Sequence, residues 1–210
     1  MINVVIADDH TMVRHGLREI LSSEADIRVV AEASTGQQVL DLVRADHVDV
    51  VVLDITMPGR NGLEILKELR KSHTRVAVIM LSMHPKDQYG VRVIKAGASA
   101  YISKESAPEE LVAAIRAANR GDKYITPDVA ELLARHLERG LVTEEPHKLL
   151  SDREFEVLRH LASGRGLTEI SKLMNLSVKT ISTYRTRIVE KTGLASNAEM
   201  TRYAIQHSLI

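Results

Sequence analysis

Short apolar runs alternate with helix-length segments over residues 1–120, and this alternation limits the possible folds more than any other feature. Glycine and proline fall in the breaks between the elements. The pattern predicts an α/β fold, a doubly wound parallel (βα)5 sheet with helices on both faces. The predicted strands are Asn3–Ala7, Arg28–Ala33, Val48–Leu53, Ala77–Ser82 and Ala100–Ser103. The predicted helices lie near Val13–Ser22, Gly36–Arg44, Gly62–Lys71, Asp87–Ala96 and Pro108–Arg120.

Polar residues stand at the ends of four of these five strands. Asp8 and Asp9 follow the first strand, Asp54 follows the third, Ser82 ends the fourth, and Lys104 follows the fifth. The carboxyl ends of parallel strands lie along one edge of a sheet, where ligands usually bind. Clustered acids with one amine and one hydroxyl suit Mg²⁺ and a phosphoryl group better than a hydrophobic ligand. The sequence therefore predicts one site at this edge.

Each of these residues has a chemical role available to it. Asp8 and Asp9 can hold a hydrated Mg²⁺, and Asp54 can attack phosphorus to form an acyl phosphate. Lys104 can neutralise phosphoryl charge, and the Ser82 hydroxyl can donate to a phosphoryl oxygen. Taken singly, each also has a structural explanation, because acids cap helices and turns and a lysine at a strand end is often simply solvated. Their joint placement at the strand ends favours the site.

Composition divides the chain into an acidic part and a basic part. Residues 148–210 carry 10 Lys and Arg against 6 Asp and Glu, and the remaining residues carry 18 against 22. Opposite charge balances suggest two domains with different partners, and the basic one is a candidate for nucleic acid. The chain has no cysteine, and its first apolar run is too short for a signal peptide or a membrane span. We expect a cytoplasmic protein without membrane contact.

Residues 122–147 predict a linker with a short helix, in which Thr126 is the N-cap, Pro127 the first helical residue and about Arg139 the last. Gly140 and the polar stretch Thr143–Lys148 complete this linker. Residues 148–210 predict a small all-α domain of four helices. Capping boxes at Ser151 to Glu154 and Ser196 to Glu199 open its first and last helices, Thr168 begins the second, and Ser177 caps the third. The short turn at Asn175–Ser177 has helix-turn-helix spacing.

The third helix, Val178–Thr192, combines an apolar stripe with small hydroxyls and basic residues. Short hydroxyl side chains can approach base edges in a major groove while long basic ones reach phosphates. A solvated amphipathic helix would show much the same pattern, but the turn, the caps and the basic charge favour DNA binding. The predicted inward stripe is Val178, Ile181, Ile188 and Val189.

The first part of the chain carries the pattern Asp8-Asp9, Asp54 to Pro58, Ser82, Ala96 to Ala98, Tyr101 and Lys104. Together with the helix-turn-helix of the second part, this pattern resembles a known family. Residues 1–121 resemble the receiver domain of two-component response regulators, and residues 148–210 resemble the DNA-binding domain of the NarL/FixJ group, a LuxR-type helix-turn-helix. The order of the two parts is also the one expected for that family. Glu105 stands where many receivers carry proline, which puts the local turn geometry in question.

This resemblance implies roles for individual receiver residues. Asp54 would accept a phosphoryl group from the histidine of a sensor kinase. Mg²⁺ would be the cofactor, with Asp8, Asp9, Asp54 and the Thr56 carbonyl as its ligands. Ser82, Tyr101 and Lys104 would be the switch residues, and Tyr101 would swing inward after phosphorylation. Thr56 and His84 lie beside the site and are either regulators of acyl phosphate hydrolysis or plain loop residues.

The same resemblance assigns contacts on the third helix of residues 148–210. Ser182, Thr183 and Thr186 would face bases, whereas Lys179, Thr180, Arg185, Arg187 and Lys191 would contact phosphates. Tyr184 stands where many relatives carry histidine. The last helix, Asn197–Gln206, would dimerise the protein on double-stranded promoter DNA. The nine histidines are scattered and show no metal-ligand spacing; His10 is interpreted as a helix-start residue.

We therefore predict a DNA-binding response regulator whose receiver restrains the basic domain until Asp54 is phosphorylated. It would not be an enzyme beyond catalysing its own phosphorylation and dephosphorylation. Two alternatives stay open. One is a phosphohydrolase with Asp54 as nucleophile, although a general acid two residues away is lacking. The other is a DNA-binding protein whose receiver acts without phosphorylation, through oligomerisation or partner contact.

Overall fold

The computed structural model describes residues 1–45, 47–73, 75–83, 86–139 and 145–210. The predictions made for His84, for Gly140 and for the start of the polar stretch at Thr143 lie outside these residues. The chain divides into two compact units, the first spanning residues 1–134 and the second residues 135–210. Each unit is considered by itself below.

The first unit contains a parallel sheet, as predicted. Within the described residues the sheet has five strands in the order β2-β1-β3-β4-β5. Alternate residues of a strand point to opposite faces of the sheet. In β3 both sets are fully buried, so helices cover both faces. The strands are β1 Ile2–Ala7, β2 Ile27–Ala33, β3 Val50–Asp54, β4 Ala77–Ser82 and β5 Ala100–Ser103.

The helices of the first unit follow the strands in strict alternation. On one face, Leu17 and Leu21 of α1 and Leu111 and Ile115 of α5 belong to the apolar core that covers the sheet. These helices are α1 Thr11–Ser22, α2 Gly36–Ala45, α3 Gly62–Ser72, α4 Lys86–Lys95 and α5 Ala107–Asn119. They confirm the predicted α/β fold, with bounds that differ from the predicted ones by up to two residues.

The predicted linker contains more regular structure than its sequence suggested. Helix α6 spans Pro127–Arg139, as predicted. Thr126 precedes it and its carbonyl accepts from the Ala130 amide, but its buried hydroxyl has no hydrogen-bond partner in the described structure. A 3₁₀ turn spans Pro146–Leu149, where the sequence predicted plain polar linker. The proline at the first position favours such a tight turn.

The second unit ends in helices α7 Asp152–Ala162, α8 Leu167–Leu173, α9 Val178–Thr192 and α10 Asn197–Gln206. Both predicted capping boxes are present. Asn175 adopts a left-handed conformation in the turn between α8 and α9. Ile181 and Ile188 of α9 are buried, but Val189 is half-buried and Val178 is 43% exposed, so the predicted inward stripe was too broad. Val178 lies at the first turn of α9, beyond the reach of the core.

No helix in the described part of the chain is long and apolar enough to cross a membrane.

Candidate functional site

The predicted acids and lysine meet at the carboxyl edge of the sheet. Asp8 follows β1 and Asp54 ends the neighbouring strand β3, and both are buried. Lys104 follows β5, and its backbone amide donates to the Ser82 carbonyl at 2.9 Å. Its side chain reaches across β4, so that Nζ lies 2.6 Å from Asp8 Oδ2 and 2.9 Å from Asp54 Oδ2. One amine thus bridges two carboxylates that come from separate strands.

Burial dominates the electrostatics of this edge. It raises the pKa of Asp54 to about 6, with Lys104 opposing this effect and the negative charge of Asp8 adding to it. For Lys104, burial alone would lower the pKa, but the attraction of Asp54 and Asp8 outweighs burial and raises it. The site therefore holds a carboxyl group with a raised pKa beside an amine whose charged form is stabilised.

The donor set fits a hard divalent cation. Asp8, Asp9, His10 and Asp54 each offer one ligand atom, and these atoms all lie within 4.8 Å of one another. Asp8 Oδ2 and Asp9 Oδ1 are buried without an acceptable hydrogen bond in the described structure, although Lys104 Nζ and His10 Nδ1 approach them as ion pairs. Carboxylate oxygens with spare lone pairs are the ligands that Mg²⁺ uses. His10, which precedes α1 as its N-cap, is a residue of this cluster that the sequence analysis did not include.

The loop after β3 places Asp54 by close backbone packing. Gly62 begins α3 against the Asp54 peptide, and its amide donates to the Ile55 carbonyl at 2.8 Å. A Cβ at Gly62 would overlap the Asp54 carbonyl oxygen and lie 2.9 Å from its carbon. Asn61 caps α3 by accepting from the Glu64 amide. Thr56 lies exposed in this loop, and its backbone amide opposes the effect of burial by lowering the pKa of Asp54.

The predicted switch residues Ser82 and Tyr101 lie on β4, the neighbour of β3, and on β5, the next strand beyond it. Ser82 ends β4 and is buried, and Leu81 accepts from the Ile55 amide next to Asp54. Tyr101 lies in β5 and is only 1% exposed. The predicted inward swing of Tyr101 therefore needs correction, because its ring is already inside in this structure.

Helix α9 presents polar side chains along one exposed face. Each exposed residue has another one three or four positions away, and residues at these separations lie on the same side of a helix. The Thr183 and Thr186 hydroxyls donate to the carbonyls of Lys179 and Ser182, at 3.0 and 3.2 Å, so their lone pairs remain available to a partner. We call this stripe the α9 face, and its members are Lys179, Ser182, Thr183, Thr186, Arg187 and Glu190.

Other predicted DNA contacts lie away from this stripe. Thr180 is half-buried, and its hydroxyl lies 2.7 Å from that of the N-cap Ser177. Lys191 donates to Glu154 Oε2 at 2.6 Å, and this carboxylate is almost fully buried. Lys191 therefore has a structural role that the sequence did not reveal, in addition to the phosphate contact predicted for it. Arg185 is half-buried on α9.

Arg165 is a basic residue that the sequence analysis missed. With Arg185, Leu161 and Asn197 it lines an open cleft of about 490 Å³ in the second unit. Its guanidinium lies beside His160 and pairs loosely with Glu169. Its position just before α8, in a basic domain, was the available signal. Two arginines thus line one cleft of the second unit.

The histidines show no metal-ligand spacing along the sequence, but the fold brings two of them together. His147 and His207 are far apart in sequence but meet beside Glu145 in the second unit. The sequence could not reveal this group, because its members join the 3₁₀ turn to the end of α10. Its chemistry is taken up below.

Comparisons with known proteins agree with both halves of the chain. Residues 4–116 match the response regulator receiver domain, and residues 148–204 match the family of bacterial regulatory proteins called the luxR family. The response regulator UvrY of Escherichia coli O6:H1 is 41% identical over 209 residues, which cover 100% of this chain and 96% of that protein.

Solved structures of another regulator are similar over nearly the full length. RcsB from Salmonella enterica serovar Typhimurium, bound to promoter rprA with the phosphomimetic BeF₃⁻, is 28% identical with a TM-score of 0.66, covering 96% of this chain and 97% of that one. Two RcsB dimers bound to two parallel DNAs give 28% identity and a TM-score of 0.61, with 100% and 98% covered.

These relatives identify a transcription regulator and not a typical enzyme, which removes support from the phosphohydrolase alternative. The receiver match covers the acid site, and the luxR-family match covers the α9 face. The chain belongs to the two-component response regulators of the NarL/FixJ family, in which a receiver domain is joined to a LuxR-type DNA-binding domain.

Proposed function

We propose that Asp54 accepts a phosphoryl group from a sensor histidine kinase, and that this event releases DNA binding by the α9 face. The observation that carries the proposal is the bridge from Lys104 Nζ to Asp8 and Asp54, which gathers a nucleophile and a charge-neutralising amine at one edge of the sheet. In the domain division that we propose, residues 1–121 form the receiver, 122–147 the linker and 148–210 the DNA-binding domain.

Transfer needs Asp54 ionised. One of its oxygens attacks the phosphorus of the donor phosphohistidine, the phosphorus–nitrogen bond breaks, and the imidazole leaves. Lys104, already 2.9 Å from Asp54 Oδ2, can stay beside the new acyl phosphate and balance part of its charge. The reaction needs little from the protein except positioning and charge neutralisation. Self-catalysed transfer and later hydrolysis of the acyl phosphate are the enzymatic functions that we assign to the chain.

Asp8, Asp9, Asp54 and the Thr56 carbonyl would hold Mg²⁺. Bound there, the ion would neutralise and orient the phosphoryl oxygens. The support is the set of acidic oxygens within 4.8 Å of one another, of which Asp8 Oδ2 and Asp9 Oδ1 have no acceptable hydrogen bond in the described structure. Lys104 competes for the same carboxylates, so Mg²⁺ and the amine must share Asp8 and Asp54.

Ser82, Tyr101 and Lys104 would transmit the modification. The Ser82 hydroxyl, at the end of β4, can donate to a phosphoryl oxygen on Asp54. Because Tyr101 is already buried, its part in the switch would be to stabilise the active arrangement once Ser82 has moved. Such a modification shifts an equilibrium only by its different interaction with the two states.

On DNA, the α9 face would enter the major groove. Ser182, Thr183 and Thr186 would approach base edges, and the basic residues would contact phosphates. Dimers on DNA, described for RcsB, would suit half-sites about one helical turn apart. The protein would act in the cytoplasm, where promoter DNA lies. The proposed phosphate contacts are Lys179, Thr180, Arg185, Arg187 and Lys191.

The test is to locate the phosphoryl group after reaction with a small-molecule phosphodonor. With Mg²⁺, peptide mass spectrometry should find one acyl phosphate, on Asp54, and chelation of Mg²⁺ should prevent its formation. Asp54→Asn should carry none. The matched control, Asp41→Asn, makes the same chemical change at a carboxylate that is 62% exposed on α2 and should react like wild type. A phosphoryl group elsewhere, or equal labelling of Asp54→Asn, would refute the assignment.

A further inference from the structure

A second group of metal-binding side chains lies in the second unit, away from the acid site. Glu145 precedes the 3₁₀ turn, His147 lies within it, and His207 is the C-cap of α10. Each offers one ligand atom, and these atoms lie within 4.8 Å of one another. All three residues are half-buried, which holds their side chains in place while leaving an approach from solvent.

The distances within this group suit a tetrahedral metal ion. Glu145 Oε1 lies 3.5 Å from His207 Nδ1, and Glu145 Oε2 lies 3.8 Å from His147 Nε2. Ligands bound to Zn²⁺ at about 2.0–2.1 Å in a tetrahedron lie about 3.4 Å from one another. The two distances end on different oxygens of Glu145, so a central ion would require the carboxylate to turn between the two imidazoles. A direct hydrogen bond between the same atoms would instead require closer approach.

The second nitrogen of His147 already has the partner that a metal ligand needs. Its Nδ1 lies 2.8 Å from the Tyr203 hydroxyl, which also accepts from the His147 amide at 3.4 Å. Histidines that bind metals almost always have such a partner on the other ring nitrogen, because it fixes the ring and the tautomer. Tyr203 and His207 also stack, with ring centroids 4.2 Å apart. The imidazole of His147 is thus held with Nε2 towards Glu145.

Lys148 is a neighbouring cation that opposes a metal at this group. Its Nζ lies 2.8 Å from Glu145 Oε2, so it occupies one carboxylate oxygen. The other oxygen, Oε1, lies 3.5 Å from His207 Nδ1. Mg²⁺ would be a poor occupant, because it prefers oxygen ligands to imidazoles. One carboxylate and two imidazoles with an open fourth position instead match the ligand set of Zn²⁺.

We propose that Glu145, His147 and His207 form a binding site for a divalent transition metal, of which Zn²⁺ is the probe. The ion would tie the segment that enters the DNA-binding domain to the end of α10. Since the unfolded chain separates Glu145 from His207, binding would stabilise the folded domain. The proposal does not depend on the phosphorylation of Asp54.

The test measures Zn²⁺ binding to the full chain by calorimetric titration. Excess Mg²⁺ is present to compete with Zn²⁺ at the acid site, because Mg²⁺ prefers carboxylate oxygens to imidazoles. Wild type should bind one Zn²⁺, and Co²⁺ at the same site should give the visible absorption of a tetrahedral complex. Glu145→Gln and His207→Phe should each weaken binding about 100-fold, the phenylalanine preserving the contact with Tyr203. Tyr203→Phe should weaken it about 10-fold.

Lys148→Met separates this result from simple loss of folding. Removal of the competing amine should strengthen Zn²⁺ binding, and a misfolded variant would not produce that change. Zn²⁺ should also raise the thermal unfolding temperature of wild type but not of His207→Phe. Equal Zn²⁺ affinity in wild type, Glu145→Gln and His207→Phe would overturn the proposal. It would also be overturned if His10→Asn, and not His207→Phe, abolished binding, because the metal would then lie at the acid site.

Discussion

The acid site and the α9 face both depend on charged and hydroxyl side chains, but one is buried and the other is open. At the acid site the side chains of Asp8, Asp54 and Lys104 are 0%, 3% and 8% exposed, and each finds its partner within the receiver. On the α9 face, Lys179 and Arg187 are exposed and extend towards solvent. The charges of the first group are paired within the fold, whereas those of the second group are exposed to a binding partner.

This difference decides how each region responds to change. Buried charges interact strongly, and removal of one leaves another uncompensated, so we expect folding and the proposed phosphorylation to be coupled at the acid site. Exposed charges contribute little to stability and much to the binding of an anionic partner. Substitutions at the first region should therefore change stability, and those at the second should change DNA affinity with the fold unaffected.

The largest effect is expected for Lys104→Met. The change leaves Asp8 and Asp54 together without their shared amine, which should lower the free energy of unfolding by about 3–5 kcal/mol. Added Mg²⁺ should reduce this loss, because it replaces the missing positive charge. Thermal and denaturant unfolding measure the effect, and Lys71→Met, at an exposed position of α3, is the matched control. Equal stability of the two variants would contradict the coupling.

Gly62→Ala should lower stability by about 3 kcal/mol. The new Cβ would overlap the carbonyl oxygen of Asp54, so the backbone at Asp54 must move. The rate of phosphorylation by a small-molecule donor should fall at the same time. Gly16→Ala has open space on α1 and should leave the rate unchanged and stability slightly higher. A normal rate in Gly62→Ala would show that this contact does not position Asp54.

The raised pKa of Asp54 predicts that the free energy of unfolding changes with pH by at most about 3 kcal/mol. The folded receiver holds the proton more tightly than the unfolded chain, whose Asp54 has a pKa near 3.8 against about 6 when folded. The preference of the folded state for protonated Asp54 thus contributes its full stabilisation below pH 3.8. This stabilisation is lost as the pH rises through about 6. Asp54→Asn should match wild type near pH 4 and become the more stable protein near pH 7.5. A difference that is constant across this range would contradict the shift.

Single substitutions on the α9 face should have the smallest effects, and these should be on the free energy of DNA binding. Arg187→Ala should weaken binding by about 1 kcal/mol on every DNA sequence and reduce the salt dependence by about one phosphate contact. Ser182→Ala should instead change the preference among operator sequences. Fluorescence anisotropy at several salt concentrations measures both, and unfolding should show wild-type stability for each variant. A loss of stability as large as the loss of DNA binding would remove the contrast with the acid site.

The acid site was largely predictable because its residues occupy strand ends. A parallel sheet brings strand ends together whatever the exact bounds of the elements, so Asp8, Asp54, Ser82 and Lys104 could be grouped without coordinates. The buried state of Tyr101 was not predictable in the same way. The side chain of an aromatic residue in a strand can be buried or exposed, and the packing around it decides which.

The second unit was predicted in outline and missed in detail. Caps and periodicity identified its helices, but the partners across them depend on how the helices pack. Lys191 with Glu154 and His147 with His207 join residues far apart in sequence, for which periodicity carries no signal. The burial of Val178 was overestimated for a related reason, because an apolar side chain in the first turn of a helix can lie beyond the core.

The most direct test of the central claim compares DNA binding and size of wild type and Asp54→Ala, each with and without a small-molecule phosphodonor and Mg²⁺. Gel shift on recovered genomic sites and size-exclusion chromatography provide the two measurements. We expect phosphodonor and Mg²⁺ to increase DNA affinity and dimer content in wild type only. Equal DNA binding in all four samples would contradict control by phosphorylation and favour a receiver that acts without it. Failure to recover specific genomic DNA under any condition would contradict the proposed role of the α9 face.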